Sequence, residues 1–348
     1  MVRVLVTGFE PFGEHAENIS HQIVNALPSQ LLLVDPWSAW RKNAKQSLEV
    51  ILETRVLTVD ESGSLEIATA IREGEKWDAI LHLGLCESCE IPRIETLAKD
   101  CLDMRIPDNS GRQISHQPIT GLGNLAVTVS ADAWMSMPWS TDCELSQDAG
   151  TYLCNETLYQ TLHALNEISF IDKNIPPCLF VHLPQVENCS FTNALRFVQE
   201  VLQRMMFRPV LTVVGALIIR NEHFLIAQRS SSESHAGKWE FPGGKVEPNE
   251  TQPSALEREI HEEFGWSVTC SEAIGTWHHS LEKLDIALHI LPTEFIGSIP
   301  DLEDKALWTA HDAIRWRTLS DESELDWLGN DSAVVQWMKA TNFLPRAK

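Results

Sequence analysis

A chain of 348 residues exceeds what one typical hydrophobic core organises, so two domains are expected. Its 43% hydrophobic and 22% charged residues are ordinary for a globular protein, and no apolar run approaches the roughly 18 residues of a membrane-spanning helix. A formal net charge of −22 argues against a nucleic-acid polymer as partner but leaves nucleotides open, because metal ions can carry phosphate charge. Eight irregularly spaced cysteines, with Met1 running directly into an apolar strand and no leader, point to reduced thiols in the cytoplasm.

In chain order, Val2 to Val6 is a short apolar run ending in Thr7-Gly8, the pattern of a buried parallel strand feeding a loop. Ala79 to Leu83 and Cys178 to Leu183 repeat it. Helix-like segments lie at Glu66 to Ile71, Tyr152 to Leu165 and Asn193 to Met206. The alternation predicts a three-layer α/β sheet with its sites at the carboxyl ends of the strands. Three features fall there. Gly8-Phe9-Glu10-Pro11-Phe12-Gly13 presents two rings suited to walling a flat apolar pocket. Gly150-Thr151-Tyr152-Leu153-Cys154-Asn155 sets a cysteine at a helix start, where the helix dipole favours the thiolate. Phe180-Val181-His182-Leu183-Pro184 closes a strand with a histidine suited to accept the thiol proton. Cys101, Cys143, Cys178 and Cys270 read as core filling. Cys86 and Cys89 lack the second pair a zinc knuckle needs. Asp60-Glu61 and Glu73-Gly74-Glu75 read as solvated surface.

These residues resemble pyroglutamyl peptidase I, a cysteine peptidase family with catalytic residues in the order Glu, Cys, His, over roughly residues 1 to 207. The resemblance implies that Cys154 is the nucleophile, His182 the base and Glu95 the carboxylate that orients it. It also implies that Arg105, in Asp103-Met104-Arg105-Ile106-Pro107-Asp108-Asn109, lies near the oxyanion, and that Phe9 and Phe12 pack on the substrate ring. The chain departs from the family in the loop after the second strand. There the family often has Gly-Gln-Ala-Gly-Gly and this chain has Gly84-Leu85-Cys86-Glu87-Ser88, where a leucine offers none of glutamine's hydrogen bonds. It also has Gly13-Glu14 and Asn18-Ile19-Ser20 where the family usually has Gly-Gly and Asn-Pro-Ser, and Leu31 to Thr58 matches poorly.

Arg204 to Pro209 precedes a new strand run, Val210 to Ile219, which puts the boundary near residue 207 and the domains at 1–207 and 208–348. Phe224 to Arg229 is a second strand, joined to the first at Asn221-Glu222. Thr251 to Glu262 is helix-compatible, with Thr251 as N-cap, Pro253 in the first turn and Gly265 at the stop. At about 3.6 residues per turn, Glu259, Glu262 and Glu263 share one face, where they repel unless a hard divalent cation binds them. Gly243-Gly244 lets backbone approach a phosphate, and Arg258 is spaced to pair with Glu262.

Gly244, Glu250, Arg258-Glu259, Glu262-Glu263 and Gly265-Trp266 match the fixed positions of the Nudix box, and Trp239 to Glu247 resembles its MutT-type branch, which includes 8-oxo-dGTP and CTP pyrophosphohydrolases. The resemblance implies a Nudix αβα sandwich with a last helix near Ala333 to Ala340. Glu259, Glu262 and Glu263 would hold Mg²⁺ or Mn²⁺, with Glu247 adding to or supporting the set and Glu303 supplied by a late loop. Arg229 and Lys238 suit a nucleotide phosphate, Asn330 and Asp331 a base edge, and Trp277, Trp308 and Trp327 either base stacking or the core.

The sequence therefore predicts a nucleoside triphosphate pyrophosphohydrolase fused to a thiol hydrolase of pyroglutamyl or related amides, the two separable. Its rival is a nucleotide-sensing module on a decayed peptidase-like scaffold.

Overall fold

The computed structural model describes residues 1–13, 17–41, 47–169, 175–297, 300–302, 304–321 and 324–343. The chain falls into two compact units, the first built mainly from residues up to Arg208 and the second from Pro209 onward.

The first unit holds strands β1 (Val2–Phe9), β2 (Gln30–Val34), β3 (Ser47–Leu57), β4 (Ala79–Leu85), β5 (Arg93–Glu95), β6 (Leu97–Ala98), β7 (Leu125–Ala126), β8 (Glu144–Ser146) and β9 (Cys178–Leu183). Its helices are α1 (Ile19–Ala26), α2 (Glu61–Arg72), α3 (Ala131–Trp134), α4 (Leu153–Ser169) and α5 (Phe191–Met206). Seven strands form one sheet in the order β2-β3-β1-β4-β9-β5-β8. The central β3, β1, β4 and β9 are mutually parallel, while β2 and β5 join antiparallel, so the sheet is mixed. Helices α2 and α4 pack together, and α1 packs with α5. Val4 to Phe9, Ala79 to Gly84 and all of β9 are buried, which is why these strands read as unbroken apolar runs.

Two readings of this unit are corrected. Asp60 is the N-cap of α2, its side chain accepting from the Gly63 amide, rather than part of a merely solvated acidic run. Cys86 and Cys89 form a disulfide with their Cα atoms 5.4 Å apart, so the expectation of reduced thiols fails at this pair.

The second unit holds β10 (Val210–Arg220), β11 (His223–Arg229), β12 (Trp239–Glu240), β13 (Gly243–Lys245), β14 (Val268–Cys270), β15 (Gly275–Ser280), β16 (Asp285–Phe295) and β17 (His311–Arg317), with helices α6 (Gln252–Phe264) and α7 (Asp331–Thr341). Strands β10 and β16 pair in parallel at its centre. Strands β10 and β11 turn at Asn221 and Glu222, whose φ values of 47° and 61° give the paired left-handed residues a two-residue hairpin requires. Val214, Ala216 and Ile218 of β10 face the α6 core with Leu256, Ile260 and Phe264. Leu217 packs with Phe241 and with Val334 and Met338 of α7. This period-two split places a helix on each face. No helix among the described residues is long and apolar enough to cross a membrane.

Candidate functional site

Two clusters of functional side chains arise, one in each unit. In the first, β9 carries His182 opposite Arg93 of β5, and Glu95 sits two residues along the same short strand. Glu95 is fully buried, and its Oε1 lies 2.8 Å from His182 Nδ1. Cys154 is the second residue of α4, where backbone amides have no intrahelical acceptor. It hydrogen-bonds His182. Burial works to lower the His182 pKa, but the bonds to Cys154 and Glu95 outweigh it and hold the ring at about 9, so the imidazolium is favoured.

Close packing explains Gly84 beneath this pair: a Cβ there would meet the Phe180 ring at 2.7 Å and Cys154 Sγ at 3.0 Å. A cleft of about 480 Å³ opens over the cluster, lined by Phe12, Glu95, Tyr152, Cys154, His182 and the exposed Arg105 among others. Phe9 is buried against Phe180, ring centroids 6.4 Å apart, and Phe180 lies 4.8 Å from the His182 ring. All six residues singled out in the first half therefore converge on one region. The Asn155 side chain, quoted in the Gly150 to Asn155 stretch but given no role there, ties α4 to the preceding loop by accepting from the Lys99 amide and donating to the Lys99 and Cys101 carbonyls.

In the second unit Thr251 caps α6 through the Ser254 amide, and Gly265 ends it in the left-handed conformation at φ 70°. Arg258 is the hub. Its guanidinium contacts Glu250 at 3.0 Å, Glu259 at 3.0 Å, Glu262 at 3.2 Å and the Lys245 carbonyl at 3.0 Å. Arg258 lowers the Glu250 pKa, whereas burial raises that of Glu259 despite the same guanidinium. Glu263 lies against His311 on β17 instead of Arg258. Burial first, then Glu240 and Glu259, push the Glu263 carboxyl up to about 9, and its Oε2 is buried without a hydrogen bond.

Gly243 and Gly244 owe their identity to packing as well as to any approaching phosphate. A Cβ on Gly243 would meet the Val214 carbonyl oxygen at 2.1 Å, and one on Gly244 would meet the Glu259 carboxyl at 2.3 to 2.6 Å.

The outlying residues fare differently. Arg229 pairs with Glu240 at 2.9 Å and Lys238 with Asp326 at 2.8 Å, so both expected phosphate cations are engaged by carboxylates. Glu247 is exposed, and Glu303 lies outside the described residues. Asn330 donates to the His278 carbonyl, while Asp331 is buried, accepts from the Phe241 amide and is raised to about 8 by burial. Trp327 stacks on Phe241, Trp308 packs edge-on to Phe264, and Trp277 packs edge-on to Trp337, so all three rings serve packing.

Glu240 and His311 went unassigned in the sequence. His311 Nε2 bonds Glu240 Oε1 at 2.9 Å, and its ring stacks on Phe264 with centroids 4.8 Å apart. Glu240 sits inside the quoted Trp239 to Glu247 run, which was its only signal. Nothing local marks His311.

The pyroglutamyl peptidase family model matches residues 2–194, and the NUDIX domain model matches residues 210–338. The chain belongs to both families. It is a hydrolase that fuses a unit of the pyroglutamyl peptidase family to a NUDIX unit. The NUDIX unit is 36% identical over 107 residues to the CTP pyrophosphohydrolase of Escherichia coli, covering 31% of this chain and 75% of that protein. The peptidase unit is 30% identical over 192 residues to the pyrrolidone-carboxylate peptidase of Coprothermobacter proteolyticus, covering 53% and 82%. The solved pyrrolidone carboxyl peptidase of Pyrococcus furiosus is 25% identical, with 59% and 98% covered and a TM-score of 0.47.

NUDIX hydrolases use divalent cations. Among the described residues no group of three acidic, imidazole or thiol side chains is arranged to hold one, and Arg258 engages Glu259 and Glu262. The donor chemistry nevertheless fits. Glu263 Oε2 is a buried oxygen without a hydrogen-bond partner, and the half-buried Glu259 carboxyl lies against Gly244, where an added Cβ would force it to move.

Proposed function

We propose that the NUDIX unit hydrolyses a nucleoside triphosphate, of the CTP or 8-oxo-dGTP type, to the monophosphate and pyrophosphate with Mg²⁺ or Mn²⁺. The observation that carries this reading is the carboxylate face of α6 gathered by Arg258. Glu259, Glu262 and Glu263 would hold the cation, with Glu247 and Glu303 in supporting roles. When bound, the cation would supply charge neutralisation of phosphate oxygens and a more acidic water. Arg258 would keep Glu259 and Glu262 aimed before loading. Pyrophosphate release across a nucleotide panel with each metal tests the reading, and binding without turnover under every divalent ion overturns it in favour of a sensor.

We further propose that the peptidase unit is a thiol hydrolase that removes an N-terminal pyroglutamyl or related cyclic acyl group. The Glu95–His182–Cys154 relay carries this reading. His182 takes the Cys154 thiol proton, Sγ attacks the acyl carbonyl, the C–S bond forms as the C–N bond breaks, and His182 returns the proton to the leaving amine. Water, deprotonated by His182, then displaces the thiolate and releases the acid. The first amides of α4, with Arg105 nearby, would face the oxyanion. Hydrolysis of pyroglutamyl aminocoumarin by the wild type and not by Cys154→Ala is expected, and equal inertness of the two overturns the reading.

A further inference from the structure

Among the described residues, Glu263 Oε2 and His311 Nδ1 are buried without a hydrogen-bond partner, and they face each other 3.8 Å apart. Backbone register brings them together. Ile314 and Trp316 of β17 pack into the α6 core, while Ala313 packs toward α7. Strict alternation would send His311 to the α7 side with Ala313. A register shift opposite Gln228 and Arg229 leaves Asp312 out of the ladder and turns His311 to the α6 side, where its ring stacks on Phe264. Thr309 pins the approach to this strand against the end of α6, its amide donating to the Glu263 carbonyl and its hydroxyl to the Glu262 carbonyl.

The other ring nitrogen of His311 is already committed. Nε2 lies 2.9 Å from Glu240 Oε1, and Arg229 donates to the same oxygen at 2.9 Å. A carboxylate oxygen that accepts from a guanidinium also accepts from the imidazole, so Nε2 carries the ring hydrogen and the lone pair of the neutral ring falls on Nδ1. The His311 side chain is fully buried, so bulk water does not satisfy that lone pair. At 3.8 Å the gap to Glu263 exceeds hydrogen-bond range, yet two donors each about 2.1 Å from one ion stand up to about 4.2 Å apart. An imidazole that donates its second N–H to a carboxylate is the usual form of a histidine metal ligand, because the carboxylate fixes its tautomer and orientation.

We propose that His311 Nδ1 is a metal ligand and shares with Glu263 Oε2 a mixed nitrogen–oxygen site that takes a first-row transition ion such as Mn²⁺ in preference to Mg²⁺. Mg²⁺ demands oxygen donors and gives up water reluctantly, whereas imidazole nitrogen suits the softer divalent ions. The proposal rests on the reading of α6 as the cation-holding helix and adds to its carboxylates a donor from β17. Water and substrate phosphate would complete the coordination. Glu240 is then a positioning residue for the ring, and Arg229 holds Glu240.

The test loads the full chain with one equivalent of Mn²⁺ and records pulsed electron paramagnetic resonance. Coupling to a directly bound imidazole nitrogen is expected, with the isotope signature changing when histidine is labelled with ¹⁵N, and it should vanish in His311→Gln. Bound Mn²⁺ without nitrogen coupling, or with coupling that survives His311→Gln, overturns the proposal. In competition titrations Mn²⁺ should bind more tightly than Mg²⁺, and His311→Gln should narrow that gap by about tenfold to a hundredfold. Equal affinities in the wild type, or a gap that the variant leaves unchanged, count against the site. Glu240→Gln keeps the ring and alters only its acceptor. It should weaken Mn²⁺ binding by about tenfold to a hundredfold, and unchanged affinity sinks the proposal even where His311→Gln does not fold. Pyrophosphate release is followed on the same samples. Turnover without nitrogen coupling would remove the ligand and leave the nucleotide-hydrolase reading standing, and coupling without turnover of any nucleotide would do the reverse.

Discussion

Glu263 Oε2 and His311 Nδ1 lie 3.8 Å apart, both buried and neither hydrogen-bonded. One turn back along α6, Glu259 is held by Arg258, so two carboxylates on one helix face meet opposite conditions. The first is stabilised as the acid by burial, and the second is aimed by a cation.

The first prediction concerns pH. The Glu263 pKa is raised from its ordinary 4.5 to about 9 in the fold. A raised folded pKa gives stability that is fully present below the unfolded value and lost as pH rises through the folded one. The second unit should therefore melt at lower temperature as pH increases from 6 to 10. Glu263→Gln should flatten that slope, since a neutral amide does not titrate. Calorimetry without divalent ions checks this, and an identical slope in the variant would count against the burial argument. Asp331, raised to about 8, contributes in the same sense and remains in the variant as residual slope.

Removing the hub should be felt in function more than in folding. Arg258 touches Glu250, Glu259 and Glu262. Arg258→Ala should lower pyrophosphate release or metal affinity by about 10- to 100-fold, the usual effect of losing a residue that orients ligands. Metal titration followed by pyrophosphate assay measures it. Activity within twofold of wild type would show that the carboxylates need no such support.

Gly244→Ala tests the packing of the same face. The added methyl carbon would stand 2.3 to 2.6 Å from the Glu259 carboxyl, so that side chain must move. A loss of about 1 to 3 kcal/mol in stability is expected from overpacking. Pyrophosphate release should fall while hydrolysis of acyl amides by the same preparation stays unchanged.

In the peptidase unit, Glu95→Gln should lower the His182 pKa from about 9, because it removes one of the bonds that raise it. Imidazole NMR titration reads the shift. Amide hydrolysis should drop by up to about 10⁴-fold, as when a triad carboxylate is made neutral. An unmoved His182 titration would mean that Cys154 alone sets it.

We also propose that the two units act independently. Thiol acyl transfer needs no metal, and NUDIX hydrolysis needs no thiolate. Expressed alone, residues 208–348 should retain nucleotide hydrolysis, and a folded but inert fragment would show dependence on the neighbour.

What the sequence alone determined was local. The apolar runs of β1, β4 and β9, the cap at Thr251, the stop at Gly265 and the i,i+4 pairing of Arg258 with Glu262 all follow from periodicity and backbone chemistry over a few residues. The Glu95, Cys154 and His182 assignment came from family spacing, since 87 residues separate the hydrogen-bonded glutamate and histidine. Tertiary structure decided whatever depends on distant groups meeting in a low dielectric. It spent Arg229 on Glu240 and Lys238 on Asp326, and turned three tryptophans into packing. It also set His311 beside Glu263 across 48 residues of chain, a meeting that no local pattern encodes because it arises where strand β17 pairs with β11 alongside α6. Charge pairing and burial act through space, and the sequence records only which groups are available to them.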